Sequence, residues 1–229
     1  MTAELKEFIA QCETYRKYEV KQQRERLMSH EIAERPREKI STDLYTIHGK
    51  DYLIVVEYFS NFWEIDPLPN TKTSIKKLKC QFTRQGIPDI VISGNGPQFA
   101  CEKFASFANE WGLENRTGSP GHQRTNGKAE AAVKEAKRLL RKAKDSKGDI
   151  YLAVLALRNT PTEAMGTSPA QRLLGRRCKT QLPTTKELLR PQSVRAEAVM
   201  KETWVRQAQQ AKYYNKGTRD LPPWKREML

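Results

Sequence analysis

Three β-prone runs follow one another within residues 40–67, and this crowding constrains the fold more than any other feature of the chain. Ile40 to Ile47 reads as a strand, His48-Gly49-Lys50-Asp51 is turn chemistry, and Tyr52-Leu53-Ile54-Val55-Val56 is a nearly continuous β-prone run. Phe62-Trp63-Glu64-Ile65 predicts a third strand that ends at Pro67. Strands this close, joined by turns this short, predict an antiparallel meander.

After the meander the periodicity changes. Ser74 to Arg84 predicts a helix, broken by Gly86-Ile87-Pro88, and Asp89 to Ser93 predicts a short buried strand. Phe99 to Trp111 predicts a second helix, with Phe99, Phe104, Phe107 and Trp111 at near-helical spacing, a stripe that reads as core. Leu113 to Thr117 suits a last short strand, and Gly118 to Gly127 is turn-rich. A long helix then runs to about Lys144, its apolar stripe formed by Ala129, Ala132, Val133, Ala136, Leu139, Leu140 and Ala143. Further helices are predicted over Ile150–Arg158 and from about Ser193 to Tyr214, with an unstructured end from Gly217 to Leu229. Residues 2–28 carry a helical pattern dense in Lys, Arg, Glu and Gln, followed by an extended linker around Arg35-Pro36. The order βββ-α-β-α-β-α predicts an α/β fold with a mixed sheet.

Charge narrows the function class. The 229 residues carry a net charge of +14, unevenly placed. Residues 1–123 hold 17 Lys+Arg against 17 Asp+Glu, whereas residues 124–229 hold 24 against 10 and so contain the whole excess. Such asymmetry attracts polyanions through counterion release, and nucleic acid is the first candidate; a solvated basic surface is the plainer alternative. No apolar run approaches the roughly 18 residues of a membrane span. The N-terminal MTAELKEF lacks a signal-peptide core, and Cys12, Cys80, Cys101 and Cys178 form no CxxC pair and read as free thiols. A membrane partner is therefore not expected.

Five stretches share one resemblance. TDLYTIHGKDYLIVVEYFSNF, GIPDIVISGNGPQF, NGKAEAAVKEAKRLL, ALRNTPTEAMGTSPAQRLLGRR and YYNKGTRDLPP together resemble gypsy-type LTR retrotransposon integrases, within the wider retroviral integrase family. The resemblance runs from about residue 2 to the C-terminus. It implies an RNase H-like core with a mixed five-stranded sheet flanked by helices, and helical N- and C-terminal extensions. The implied organisation is a helical remnant of a zinc-binding module over residues 1–35, the core over 36–185, and a helical basic extension over 186–229 that stops before the family's final β-barrel.

Family members cut and join DNA with two Asp and one Glu, thirty-five residues separating the second Asp from the Glu. The carboxylates hold two divalent cations, Mg²⁺ or Mn²⁺, one activating the attacking hydroxyl and the other stabilising the leaving oxygen. Asp43 matches the first acid and Glu130 the third, so both are candidate catalytic and metal-binding residues. The second position falls on Gly94, and residues 95–129 are the required thirty-five. The register persists and the ligand is missing, which implies a degenerate active site. Asn95 offers only a neutral amide oxygen, and Glu57, where relatives often carry an acid, is not one of the catalytic three.

Relatives also place basic, DNA-contacting residues four and seven positions beyond the Glu. Here these are Lys134 and Lys137, beside Lys128, Arg138 and Arg141 on the same helix. A solvated helix face is the bland alternative. In SPGHQRTNG, Gln123-Arg124 stand where the family has Pro-Gln, and the lone His122, His30 and His48 form no metal cluster. Tyr15 replaces the second cysteine of the zinc module and only Cys12 remains, so no zinc is expected. Arg37 stands where relatives carry an aromatic residue.

Three functional readings remain open. One is a domesticated or decayed integrase core that binds DNA, in the nucleus or otherwise the cytoplasm, without catalysis. Another is an active polynucleotidyl transferase. A third is a non-enzymatic interaction scaffold built on a core able to form a homodimer.

Overall fold

The computed structural model describes residues 11–12, 26–27, 29–69, 73–94, 96–117, 126–163, 165–216 and 218. Expectations for the helix over residues 2–28, the end from Gly217, and Tyr15, Asn95, His122, Gln123 and Arg124 lie largely or wholly outside these residues. The chain divides into two compact units, residues 31–205 and residues 1–30 with 206–229.

The larger unit is built on strands β1 (Lys39–Ile47), β2 (Lys50–Glu57), β3 (Trp63–Leu68), β4 (Ile90–Ser93) and β5 (Glu114–Thr117). Their order in the sheet is β3-β2-β1-β4-β5. The first three pair antiparallel, while β4 joins β1 and β5 joins β4 in parallel. The predicted meander and mixed sheet are thus present. The two-residue turn between β1 and β2 puts both His48 (φ 51°) and Gly49 (φ 71°) in the left-handed region, as a hairpin of matching twist requires.

Helices α1 (Ser74–Gln85), α2 (Glu102–Glu110), α3 (Gly127–Asp145), α4 (Ile150–Asn159), α5 (Pro169–Leu174), α6 (Lys186–Leu189) and α7 (Ala196–Tyr214) complete the described elements. One sheet face packs Ile40, Leu53, Val55 and Val91 against Leu78 and Phe82 of α1 and Phe104, Phe107 and Ala108 of α2. Phe104 meets Phe99 edge to face with ring centres 5.4 Å apart. The aromatic stripe is therefore core, as its spacing predicts. The opposite face packs Tyr45, Ile47, Ile54, Val56 and Trp63 against Ala132, Ala136 and Leu140 of α3 and Val154 of α4. The alanines let α3 lie close against β1.

Two boundaries differ from the sequence reading. β3 continues through Pro67 to Leu68. It is an edge strand, where the missing N–H of proline need not cost a ladder bond. α2 begins at Glu102 rather than Phe99, because residues 96–100 form a turn in which the Phe99 and Ala100 N–H groups donate to the Gly96 carbonyl. In the smaller unit, the Leu27 N–H donates to Asn215 Oδ1 at 2.9 Å and Gln207 Nε2 donates to the His30 carbonyl at 3.1 Å.

Candidate functional site

Asp43 lies on β1 opposite Ile54, on the sheet face covered by α3. Parallel pairing of Thr42 with Ser93 brings the end of β4 beside it, so Gly94 is the next residue along. A Cβ at Gly94 would lie 3.8 Å from Asp43 Oδ1 and 3.8 Å from Asn126 Nδ2. Those are ordinary van der Waals distances, and Gly94 is not among the positive-φ glycines. The backbone there can carry a side chain without strain. No steric demand in its surroundings explains the glycine at this position.

Asn126 completes this corner, a role that sequence reasoning missed. Its Oδ1 accepts from Ser41 Oγ at 2.5 Å and its Nδ2 donates to the Thr42 carbonyl at 3.1 Å, both buried. An Asn just before a helix normally caps that helix. Here it makes no side-chain cap bond and instead fastens the start of α3 to β1. The motif NGKAE contained the signal, but its partner is a tertiary one.

Glu130 stands exposed in the first turn of α3. Burial holds the Asp43 carboxyl above its ordinary range. The Leu44 N–H, donating to Asp43 Oδ1 at 2.8 Å, opposes this shift; the charge of Glu130 adds to it, and that of Lys137 opposes it. Holding two divalent ions takes shared, charged oxygen ligands. This corner offers two carboxylates, one biased toward its neutral form, and no side-chain atom from Gly94. Among the described residues no group of three His, Cys, Asp or Glu could hold a metal ion. Asp43 and Glu130 are the residues of this corner that would hold the Mg²⁺ or Mn²⁺ that the resemblance implies.

Glu57 is turned away from this corner. It pairs with Ile40, three residues along β2 from the partner of Asp43, and so faces the other side of the sheet. Its carboxylate accepts from the Phe59 N–H at 2.9 Å, the Ser60 N–H at 2.5 Å and the Arg37 N–H at 3.2 Å, and from Ser60 Oγ. It is the knot of the β2–β3 turn. Arg37, in a family aromatic position, lays its guanidinium 5.6 Å from the Phe82 ring centre.

The basic residues separate into two groups. Lys128 turns to the β2–β3 turn, donating to the Tyr58 carbonyl at 2.9 Å and Asn61 Oδ1 at 2.6 Å, with Nζ 4.6 Å from the Tyr58 ring centre. Lys137 reaches over Tyr45 at 5.7 Å, two residues from Asp43 on the same strand face. Lys134, Arg138 and Arg141 are exposed along α3. The structure thus groups Lys137 with the acid corner and leaves Lys128 engaged elsewhere.

This architecture matches solved structures. The catalytic core domain of BIV integrase is similar over 60% of this chain and 94% of its own, with a TM-score of 0.51 and 19% identity. That of HTLV-2 integrase, solved in complex with magnesium, covers 61% of this chain and 97% of its own at a TM-score of 0.50 and 19% identity. This is the retroviral integrase catalytic-core fold. A simian T-cell lymphotropic virus intasome, solved with PP2A regulatory subunit B56 gamma, extends the likeness, covering 85% of this chain and 72% of its own at a TM-score of 0.56 and 17% identity. In sequence, an uncharacterized Caenorhabditis elegans protein, K02A2.6, is 30% identical over 183 residues, or 74% of this chain. The Pro-Pol polyprotein of simian foamy virus type 1 is 32% identical over 130 residues, 54% of this chain. The chain spans only 14% and 11% of the length of these two relatives. No protein-family model matches it. The integrase resemblance and RNase H-like fold read from the sequence are borne out. Among the described residues, no helix is long and apolar enough to cross a membrane.

Proposed function

We propose that this integrase core, of retroelement descent, binds DNA without cutting or joining it. The observation that carries the reading is Gly94, which presents no side chain to Asp43 Oδ1 and Asn126 Nδ2 at the point where a carboxylate would be needed. Losing a metal ligand that acts in the transition state forfeits several kcal/mol, or orders of magnitude in rate. Asp43 and Glu130 alone would hold Mg²⁺ or Mn²⁺ only weakly. Binding draws on other residues. Lys134, Arg138 and Arg141 are exposed along α3, and Lys137 stands beside the acid corner without being one of its acids, so loss of the second acid leaves that face intact. The whole net charge resides in residues 124–229, which supports a polyanionic partner. A nuclear location follows from this reading.

The test is metal-dependent 3′-processing and strand transfer on duplex DNA, comparing the wild-type chain with Gly94→Asp. The expected result is no product from wild type and product from the variant. Joining by the wild type would favour an active polynucleotidyl transferase instead.

A second reading, an interaction scaffold, has its own support in α4. The helix sequence IYLAVLALRN is apolar on nearly every side, yet Val154 is its only buried residue and Tyr151 is 72% exposed. A helix of that composition is normally covered, and a homodimer partner suits it. Sedimentation of wild type against Leu152→Lys tests this: an unchanged monomer in both would sink it.

A further inference from the structure

The cations of α3 from Lys134 to Lys144 form a run of like charge. Some basic side chains of the protein meet acids: Lys77 with Asp66, Lys79 with Glu110, Arg84 with Glu64 and Arg116 with Glu114 lie within ion-pair distance. Among the described residues, no α3 cation from Lys134 onward does so. Lys134, Lys137, Arg141 and Lys144 recur every three or four residues and so share one stripe of the helix, like charge beside like charge, an arrangement that destabilises a helix by itself. The stripe starts at Lys134, one turn beyond Glu130, and covers about 15 Å of helix axis.

The stripe does not end with the helix. Lys144 Nζ lies 3.4 Å from His48 Nδ1, in the turn joining β1 to β2. His48 is held there by the hairpin's left-handed backbone. The next residue but one, Lys50, is exposed and pairs with Ile47, which faces α3. Strand β1 from Asp43 to Ile47 and helix α3 from Glu130 to Lys144 thus run side by side, and the far end of α3 meets the turn that precedes Lys50.

We infer that this stripe is a duplex-DNA backbone track that continues off α3 onto the β1–β2 turn. Lys144 and Lys50 are its terminal phosphate-binding groups, and His48 is a positioning residue that holds Lys144 in line. The inference rests on the nucleic-acid reading and extends it to residues which that reading does not need. Binding of this kind is indifferent to base sequence, because it reaches phosphates alone.

The experiment measures the affinity of the full chain for a short duplex of arbitrary sequence across a salt series. Removing one phosphate-binding cation flattens the slope of log K against log salt by about 0.9. Lys144→Ala and Lys50→Ala are each expected to flatten it by that amount. Lys79→Ala, paired with Glu110 on the opposite sheet face, leaves it unchanged. His48→Gly, which tolerates the positive φ, is expected to flatten it too, and the double variant with Lys144→Ala to be no flatter than Lys144→Ala alone. That non-additivity marks His48 as acting through Lys144. Wild-type binding whose slope is unaffected by Lys144→Ala and Lys50→Ala would overturn the track while sparing the nucleic-acid reading. Absence of wild-type binding to any duplex at low salt, or binding only to vesicles of anionic phospholipid, would overturn both.

Discussion

Gly94 faces Asp43 across a gap that one side chain would fill, its Cβ position 3.8 Å from the aspartate Oδ1. Because the backbone at Gly94 is not left-handed, an L residue can stand there without backbone strain. Gly94→Asp should fold as the wild type does and gain a metal response. Addition of Mn²⁺ should raise its Tm, with stabilisation growing as the logarithm of 1 + [Mn²⁺]/Kd, and with little effect on the wild type. A wild-type Tm that rises equally would show that Asp43 and Glu130 suffice.

Asn126 fastens α3 to β1 through one bond accepted from Ser41 and one donated to Thr42. Asn126→Ala leaves both groups buried without that partner and should cost about 1–3 kcal/mol. Denaturant midpoints at unchanged m measure this. Because Asn126 also borders Gly94, the same change in the Gly94→Asp background should weaken the gained metal response.

Glu57 accepts from three backbone N–H groups and one hydroxyl while almost fully buried. Glu57→Ala removes the common acceptor of the β2–β3 turn, and a loss of roughly 3 kcal/mol or more is expected for charge-assisted bonds of this number. Duplex affinity of the variant, measured where it remains folded, should match wild type, since Glu57 faces away from α3. A variant of wild-type stability would contradict the role of the turn's knot.

Asp43 should impose a pH dependence of unusual sign. Its carboxyl is raised by burial, so in the window above the ordinary carboxylate value of 3.8 the folded state binds more proton than the unfolded. Stability then falls as pH rises through that window, and the full penalty persists at neutral pH. Asp43→Asn should therefore stabilise the fold at pH 7 and lose that advantage as pH falls below the carboxylate range. Equal stability differences at both pH values would remove the argument.

Much of this fold is legible in the chain alone, because its signals are local. His48-Gly49 marks a turn through backbone sterics, and the alternation of β-prone and helical periods places each element within a few residues. The spacing of Asp43, Gly94 and Glu130 is likewise a property of the chain. The start of α2 is not legible in this way, because the aromatic period of Phe99 continues into a turn held by the Gly96 carbonyl.

Side-chain partnership follows other rules. Sequence puts Lys128 in line with Lys134 and Lys137, yet Lys128 is drawn to Tyr58 and Asn61, and Lys137 to Tyr45. It puts Asn126 before a helix, yet its bonds go to β1. It leaves Glu57 beside Asp43 in the chain's order of strands, while strand alternation turns the two to opposite faces. By itself, then, the sequence determined the elements, their order and the spacing of Asp43, Gly94 and Glu130, since these depend on local backbone preference and on counting. Only the tertiary structure decided which polar groups meet, because a charge or amide takes its partner from whatever distant element packing brings within about 3 Å of it.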